Sequence, residues 1–236
     1  SCFIKYRFSM SPGNTGQPFS FKDCTLMAIA TGKRAQNLRE LRDRLGSVDE
    51  GCIYYHFWGG RLRPQFDEPE FNNDFAGWCK HSLRDDIVAE RLSVIDPMNF
   101  ESLEALRNEV IEIIEERLSE REFIAWAHND QQFSFIRSQI VVFDTPHEIH
   151  DATELATLIP QVSASTIFYH FIDARRRTGD GRDDFSNWLS GMDGDHSVLL
   201  GRLAEIDPYF VSLSDLRDQL ADVFATHFSH QSEGSA

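Results

Sequence analysis

Long apolar runs and basic patches are scarce in this sequence, and each absence argues against a class of protein. The 236 residues contain 23 Lys and Arg against 38 Asp and Glu, so the formal net charge is −15. A surface of that sign repels phosphate backbones and anionic lipids, so we expect neither nucleic acid nor a membrane as a partner. No stretch approaches the ~20 apolar residues of a membrane span, and no signal-peptide pattern opens the chain. We therefore expect a cytoplasmic protein.

Cysteine is also rare, and no two cysteines have the spacing of a redox motif. All four lie in the first 80 residues, at Cys2, Cys24, Cys52 and Cys79. In a reducing compartment such side chains stay free and are mostly buried. The sequence therefore predicts free thiols rather than disulfide bonds or a zinc site.

Sequence fingerprints of catalysis are missing as well. We find no Walker motif, Rossmann fingerprint, nucleophile elbow or thioredoxin motif. Two histidine pairs, His147 with His150 and His227 with His230, are three residues apart, which on a helix would place both rings on one face. Neither pair has the spacing of a zinc-protease helix, where the two histidines are four residues apart. We accordingly predict neither a metal ion nor a cofactor.

What the sequence does contain is a set of motifs that occurs twice. Tyr-His-Phe stands at residues 55–57 and again at residues 169–171, an offset of 114 residues. Asp-Phe-x-x-Trp begins at Asp74 and again at Asp184, after a loop that is four residues longer in the first case. Self-similarity of this kind is typical of a repeated structural unit. It predicts a tandem duplication of a unit of about 100 residues.

Each copy is predicted to begin with a strand and to continue with helices. In the second copy the run from Gln139 to Phe143 indicates a short strand, and Thr145-Pro146 with Glu148 indicates the start of a helix. The predicted fold class is mainly α, that is α+β with one or two short strands in each copy. Two such copies are expected to pack with pseudo-twofold symmetry, the same surface of each meeting the other.

The repeat also predicts the domain boundaries. The first repeat unit is expected at residues 19–118 and the second at residues 133–228. The linker of residues 119–132 is too apolar for a free tether, so we expect it to pack and to join the units into one compact body. We expect residues 1–18 to form an N-terminal extension and residues 229–236 to form a flexible tail.

The order of these motifs resembles that of a known family. After Tyr-His-Phe and Asp-Phe-x-x-Trp, each copy has Ile-Asp-Pro, at residues 95–97 or 206–208, and then a closing helix with Leu-x-x-Leu-Arg. This order is similar to that of the uncharacterised bacterial family called domain of unknown function 5752. The resemblance covers residues 19–118 well and residues 133–228 more loosely. It implies a strand-and-helix fold and a bacterial host, and it implies no reaction.

The repeated corner between Tyr-His-Phe and Asp-Phe-x-x-Trp is the best candidate for a site. One interpretation makes each histidine a core residue that is hydrogen-bonded to the aspartate of the next helix. A second is a pocket for a small anionic or polyol ligand. A third is catalysis with histidine as a general base, although no nucleophile or metal accompanies it. The candidate ligand-binding residues are Tyr55, His56, Arg63 and Asp74 in the first copy, and Tyr169, His170, Arg177 and Asp184 in the second.

The function predicted from these observations is a non-catalytic binding or regulatory module. Its partner would be a protein or a small polar ligand. The alternative is an enzyme that uses one or both corners on a small polar substrate, and a third possibility is a purely structural or assembly role. Exposure of His56 and His170 separates these hypotheses, because a buried imidazole that is fully hydrogen-bonded has no free nitrogen to accept a proton.

Overall fold

The strands form one long antiparallel ribbon. The computed structural model describes residues 17–62, 70–120 and 125–233. Strand β1 spans Phe19–Ala35 and strand β2 spans Phe133–Ile149, and together they make a two-stranded antiparallel sheet, called the ribbon below. The pairing runs from Phe19 opposite Ile149 to Ala35 opposite Phe133.

Helices follow each strand along the chain. After β1, the described residues of the first half form α1 (Leu38–Leu45), α2 (Glu50–Trp58), α3 (Asp74–His81), α4 (Asp86–Ser93) and α5 (Leu103–Ser119), with short 3-10 turns at Gly59–Leu62 and Pro97–Asn99. After β2 come the helices of the second half: α6 (Glu154–Leu158), α7 (Ala164–Ile167), a π-helical stretch (Phe168–Asp173), α8 (Ala174–Arg177), α9 (Asp184–Ser190), α10 (Ser197–Glu205) and α11 (Leu213–Glu233).

Side-chain caps start several of these helices. Asn37 accepts a hydrogen bond from the Glu40 backbone N–H at the start of α1, and Ser102 accepts one from the Ala105 N–H at the start of α5. Each cap satisfies one backbone donor that has no partner inside its helix.

Helix α2 lies in the interior rather than on the surface. Every residue from Cys52 to Trp58 is buried, as expected for a helix that is apolar on all sides. The π-helical stretch in the second half is also mostly buried, with Tyr169 as the partly exposed member. These two elements carry the Tyr-His-Phe motifs.

Each strand packs against helices of the other half. On β2, the Phe133 ring stacks on Phe75 at a centroid distance of 5.1 Å and lies 4.6 Å from the ring of His56, and both partners belong to the first half. On β1, the Phe19 ring lies 5.2 Å from Phe185 of the second half. The halves therefore exchange strands, and each hydrophobic core contains residues from both parts of the chain.

The predicted fold class, mainly α with short strands, is wrong. Each strand has 17 residues, and the fold is α+β. The predicted helix start at Thr145-Pro146 is strand instead. Proline lacks the N–H that a regular ladder needs, but Pro146 lies where the register shifts, between the paired residues Asp144 and Glu148. An irregularity of this kind tolerates proline, so the strand continues through a sequence typical of a helix start.

The predicted tandem duplication with pseudo-twofold packing is not shown by the described residues. What they do show is that β1 and β2 pair with each other and that each strand packs against helices of the other half. Periodicity within one half could not reveal this, since the paired residues are 98 to 130 positions apart along the chain.

Two expectations about composition can be compared with the described residues. Cys24, Cys52 and Cys79 are free and buried, as predicted, while Cys2 lies outside the described part of the chain. None of the described helices combines the length and the apolar character that crossing a membrane requires.

Candidate functional site

In the first corner, His56 lies at the junction of helix, strand and loop. It is 3% exposed, and its Nδ1 atom lies 2.8 Å from Oδ2 of Asp74, the first residue of α3. Its Nε2 atom accepts a hydrogen bond of 3.2 Å from the backbone N–H of Ile136 on β2. Because Nε2 accepts, Nδ1 carries the ring proton and donates it to Asp74. Both ring nitrogens are therefore bonded inside the protein.

Asp74 is available to His56 because another residue caps α3. Asn73 accepts the hydrogen bond from the Ala76 backbone N–H, and its amide nitrogen donates to the Leu92 carbonyl. Asn73, rather than Asp74, therefore caps α3. The Asp74 carboxylate, 40% exposed, is left to orient the imidazole.

Tyr55 fills the space next to the first corner. It is buried, and its ring stands perpendicular to the His56 ring at a centroid distance of 5.3 Å. A Cβ atom at Gly59 would come within 2.9 Å of the Tyr55 ring, so only glycine lets the ring lie this close to the next turn. The first corner is packed rather than open.

The second corner repeats this bonding pattern at His170. Nδ1 of His170 lies 2.7 Å from Oδ2 of Asp184, and Nε2 accepts a hydrogen bond of 2.8 Å from the backbone N–H of Lys22 on β1. The ring is 3% exposed. Asp183, not Asp184, caps α9 by accepting from the Ser186 N–H. As at His56, the strand that donates the backbone N–H belongs to the other half of the chain.

Arg177 adds a cation to the second corner. Its Nη2 atom lies 2.9 Å from Oδ2 of Asp184, and its Nε atom donates to Asp173 at 2.8 Å. Its guanidinium lies 4.0 Å from the centroid of the Tyr169 ring, which is a cation–π contact. The structure thus brings all four candidate residues of the second copy together. In the first copy Arg63 lies outside the described residues.

Burial favours the neutral form of His170. Burial lowers the pKa of His170 below its ordinary value, and it outweighs the opposing effect of the Asp184 carboxylate. Burial also raises the pKa of the Tyr169 hydroxyl. A neutral imidazole that donates through Nδ1 and accepts through Nε2 matches the observed hydrogen bonds.

This geometry limits what the corners can do chemically. A general base needs a free nitrogen within reach of a substrate proton, and neither nitrogen of His56 or His170 is free. What the arrangement does achieve is to fasten the end of one helix, the start of the next and a strand of the other half to a single ring.

Asp173 was missed as a member of the second corner. It is 3% exposed and accepts hydrogen bonds from Arg177 and from the hydroxyl of Tyr54, which lies on α2 of the first half. Asp173 and Arg177 are four residues apart, a spacing that lets charged side chains pair on a helix. That spacing could have predicted the contact between Asp173 and Arg177. Nothing in the local sequence predicts the contact between Asp173 and Tyr54.

The two histidine pairs of the sequence are arranged differently from each other in the described chain. Nowhere within the described ranges do three or more His, Cys, Asp or Glu side chains form a group that could hold a metal ion. His147 lies inside β2 and His150 follows its last residue, so this pair does not share a helix face. His227 lies on α11 with its ring 6.3 Å from that of His196.

The ribbon carries the other feature that bears on binding. Directly paired residues of an antiparallel sheet point to the same side, and the side alternates along each strand. One side, called the outer face below, carries four apolar residues: Met27, Ile29, Val141 and Phe143. None of the four belongs to the core of the described chain or is among the residues packed against it. Leu26 and Ile140, paired on the opposite side, pack against the core.

Comparisons with known proteins identify a family and one similar structure. The model of the Family of unknown function (DUF5752) matches residues 16–225. The structure of OrfY from Thermoproteus tenax is similar, with 27% sequence identity and a TM-score of 0.76, over 89% of this chain and 96% of that chain. No curated protein matches the chain.

Proposed function

This chain belongs to the Family of unknown function (DUF5752), and we propose that it is a non-catalytic module that binds a protein partner through the outer face of the ribbon. The observation that carries the proposal is the exposure of large apolar side chains there. Met27 is 52% exposed and Phe143 is 50% exposed. Contiguous exposed apolar surface on a folded protein is typical of an interaction site.

The composition of the outer face supports a protein partner. Residues 25–32 of β1 and 138–143 of β2 contain no charged side chain, although 26% of the whole chain is charged. Depletion of charge at the centre of a surface patch is the compositional sign of a protein–protein interface. A nucleic acid or an anionic lipid surface would need basic residues instead.

The alternative of an enzyme at the two corners has weaker support. It needs an accessible imidazole, and both imidazoles are buried and bonded at both nitrogens. A small polar ligand at the second corner is weakly supported for a similar reason. Nε and Nη2 of Arg177 already donate to two carboxylates and the Tyr169 carbonyl.

The proposal keeps the expected cytoplasmic location. Its support is the presence of three buried free thiols, Cys24, Cys52 and Cys79. Free cysteines persist in compartments that keep thiols reduced.

Site-specific photo-crosslinking in living cells tests the proposed surface. A photoreactive benzoylphenylalanine takes the place of Phe143 in one version of the full chain and of Met27 in another. We expect irradiation to link both versions to a protein. Mass spectrometry of the linked product then identifies the protein that lies against the outer face.

Val198 provides the matched control, because it is an exposed apolar residue, 61% accessible, on α10 away from the ribbon. The same photoreactive residue at this position should give little product. Equal yields at positions 143 and 198, or no product at position 143, would contradict the proposed function.

A further inference from the structure

We propose that the protein bound at the outer face is a second copy of this chain, with the two ribbons packed face to face and running in opposite directions. This inference rests on the proposed function and names its partner. The apolar outer face alone would fit many proteins. The distribution of charge at the two ends of the ribbon is what selects a second copy.

One end of the ribbon is acidic. Around the start of β1 and the end of β2, Asp23 and Glu148 lie on the outer side, because Asp23 pairs with Phe143 and Glu148 precedes the buried Ile149. The Glu148 side chain is 50% exposed. Lys22 and Asp144 form an ion pair of 3.0 Å on the opposite side. Asp23 and Glu148 are called the acidic end.

The opposite end of the ribbon is basic. Lys33, Arg34 and Arg137 lie there, and the paired segments 29–35 and 133–137 contain no acidic residue. Arg34 is exposed, and the Arg137 side chain is 44% exposed with its nearest carboxylate, Asp49, at 4.0 Å. These residues are called the basic end.

A second copy in the opposite direction complements both ends at once. The twofold axis of such a dimer lies between the two ribbons. If it runs perpendicular to the strands, the basic end of each copy faces the acidic end of the other, and the uncharged centres face each other. An axis along the ribbons would instead bring like charges together, which costs free energy at an interface. The same patch then serves both partners, as a twofold dimer requires.

The apolar residues follow the same arrangement. Ile29 lies next to the basic end and Phe143 next to the acidic end, since Ile29 pairs with Arg137 and Phe143 pairs with Asp23. In the antiparallel arrangement each strand lies on the same strand of the other copy, so Phe143 of one copy faces Arg137 of the other, with the paired Ile29 beside it. Met27 and Val141 flank the centre of the ribbon, which lies at the pair Leu26 and Ile140.

The size of the face predicts a weak dimer. The paired stretch from Asp23 to Ile29 has seven residues, which at about 3.4 Å per residue spans roughly 24 Å. A stable interface buries about 800 Å² on each partner, and this stretch offers only part of that area. The dimer should therefore form and dissociate with concentration, and charge complementarity should supply its orientation.

Sedimentation equilibrium of the purified full chain tests the inference. We expect the apparent mass to rise from monomer to dimer over about two decades of concentration, as mass action requires. Two charge-reversed variants, R34E/R137E at the basic end and E148R at the acidic end, should each dissociate at least about tenfold more readily than the natural chain. An equimolar mixture of the two should recover a dimer that contains one copy of each, because the reversed charges complement each other.

Two further variants separate the interface from the fold. M27S/F143S should be monomeric while its thermal unfolding midpoint stays close to that of the natural chain, and V198S should dimerise like the natural chain. A natural chain that stays monomeric, a dimer that survives M27S/F143S, or charge-reversed variants that fail to pair would each overturn the inference. If photo-crosslinking from position 143 then captures a different protein, the proposed function stands and the second copy is excluded as the partner.

Discussion

At His170 a single imidazole ring joins three parts of the chain. Its nitrogens bond to Asp184 on α9 and to the Lys22 N–H on β1, while the ring itself belongs to the π-helical stretch. Removing a buried acceptor leaves the Lys22 N–H without a partner, which typically costs about 1–3 kcal/mol. The histidine is therefore a structural link, and its titration should appear in the stability of the fold.

We predict that stability falls as the pH drops below the ordinary pKa of histidine. The pKa of His170 is lowered in the folded state by burial, so below about pH 6.5 the unfolded chain binds a proton that the folded chain resists. This contribution is fully present above the unfolded pKa and is lost progressively as the pH falls below it. Urea unfolding between about pH 7.5 and pH 5.5 measures the effect.

The variant H170N keeps a side-chain donor for Asp184 but does not titrate. It should be less stable than the natural chain at the higher pH, and its stability should depend less on pH over the same interval. H81N, at a side chain that is 61% exposed, is the matched control and should keep the pH dependence of the natural chain. A variant H170N with an undiminished pH dependence would show that another group is responsible.

The sequence could predict that each histidine pairs with an aspartate, but not that its other ring nitrogen accepts a hydrogen bond from a backbone N–H. The motif itself contains both His56 and Asp74, so their contact is local to one corner. The N–H of Ile136 that completes the first corner comes from a strand 80 residues away. No spacing rule predicts a contact whose partner is a backbone group of another element.

At the scale of elements, the two corner helices α3 and α9 differ in how deeply their tryptophans are buried. Trp78 on α3 is 8% exposed, and its Nε1–H donates to the Gln131 carbonyl at 2.7 Å. Trp188 on α9 is only partly buried, and its Nε1–H donates to the Gln17 carbonyl at 2.9 Å. The two helices repeat one sequence motif, yet they make unequal contributions to the core.

We therefore predict unequal costs for the two tryptophan truncations. W78A should destabilise the fold by about 3–5 kcal/mol, the range for emptying a buried aromatic site. W188A should cost clearly less, because part of its ring is already in contact with water. Urea denaturation of the two variants side by side gives the comparison. Equal losses would mean that partial exposure of Trp188 does not reduce its contribution.

Helix positions were more predictable than strand lengths. Leu38, Leu41 and Leu45 recur at helical spacing, and all three are buried on α1. The helix start expected at Thr145 was wrong, because a local capping pattern competed with a pairing that only the folded chain supplies. Strands depend on distant partners more than helices do, so their ends are harder to read from one sequence.

At the scale of the whole molecule, strand exchange makes the halves depend on each other. The core around His56 includes Phe133 and Phe135 of β2, and the core around His170 includes Phe19 and Phe21 of β1. A fragment that ends before β2 loses two buried aromatic side chains and the N–H that satisfies His56. Exposed apolar surface of this extent should prevent a stable core.

This dependence predicts the behaviour of a chain that is cut within residues 121–124, between α5 and β2. Each fragment alone should lack a cooperative unfolding transition, although each contains one complete set of the repeated motifs. Mixed or co-expressed, the fragments should reassemble, because β1 and β2 can pair across the cut as they do in the intact chain. The midpoint of the reassembled protein should rise with concentration, while that of the intact chain should change much less. Circular dichroism during heating measures both. Cooperative unfolding of either fragment by itself would show that a half folds without the strand it exchanges, and the interlocked core would then not be needed for stability.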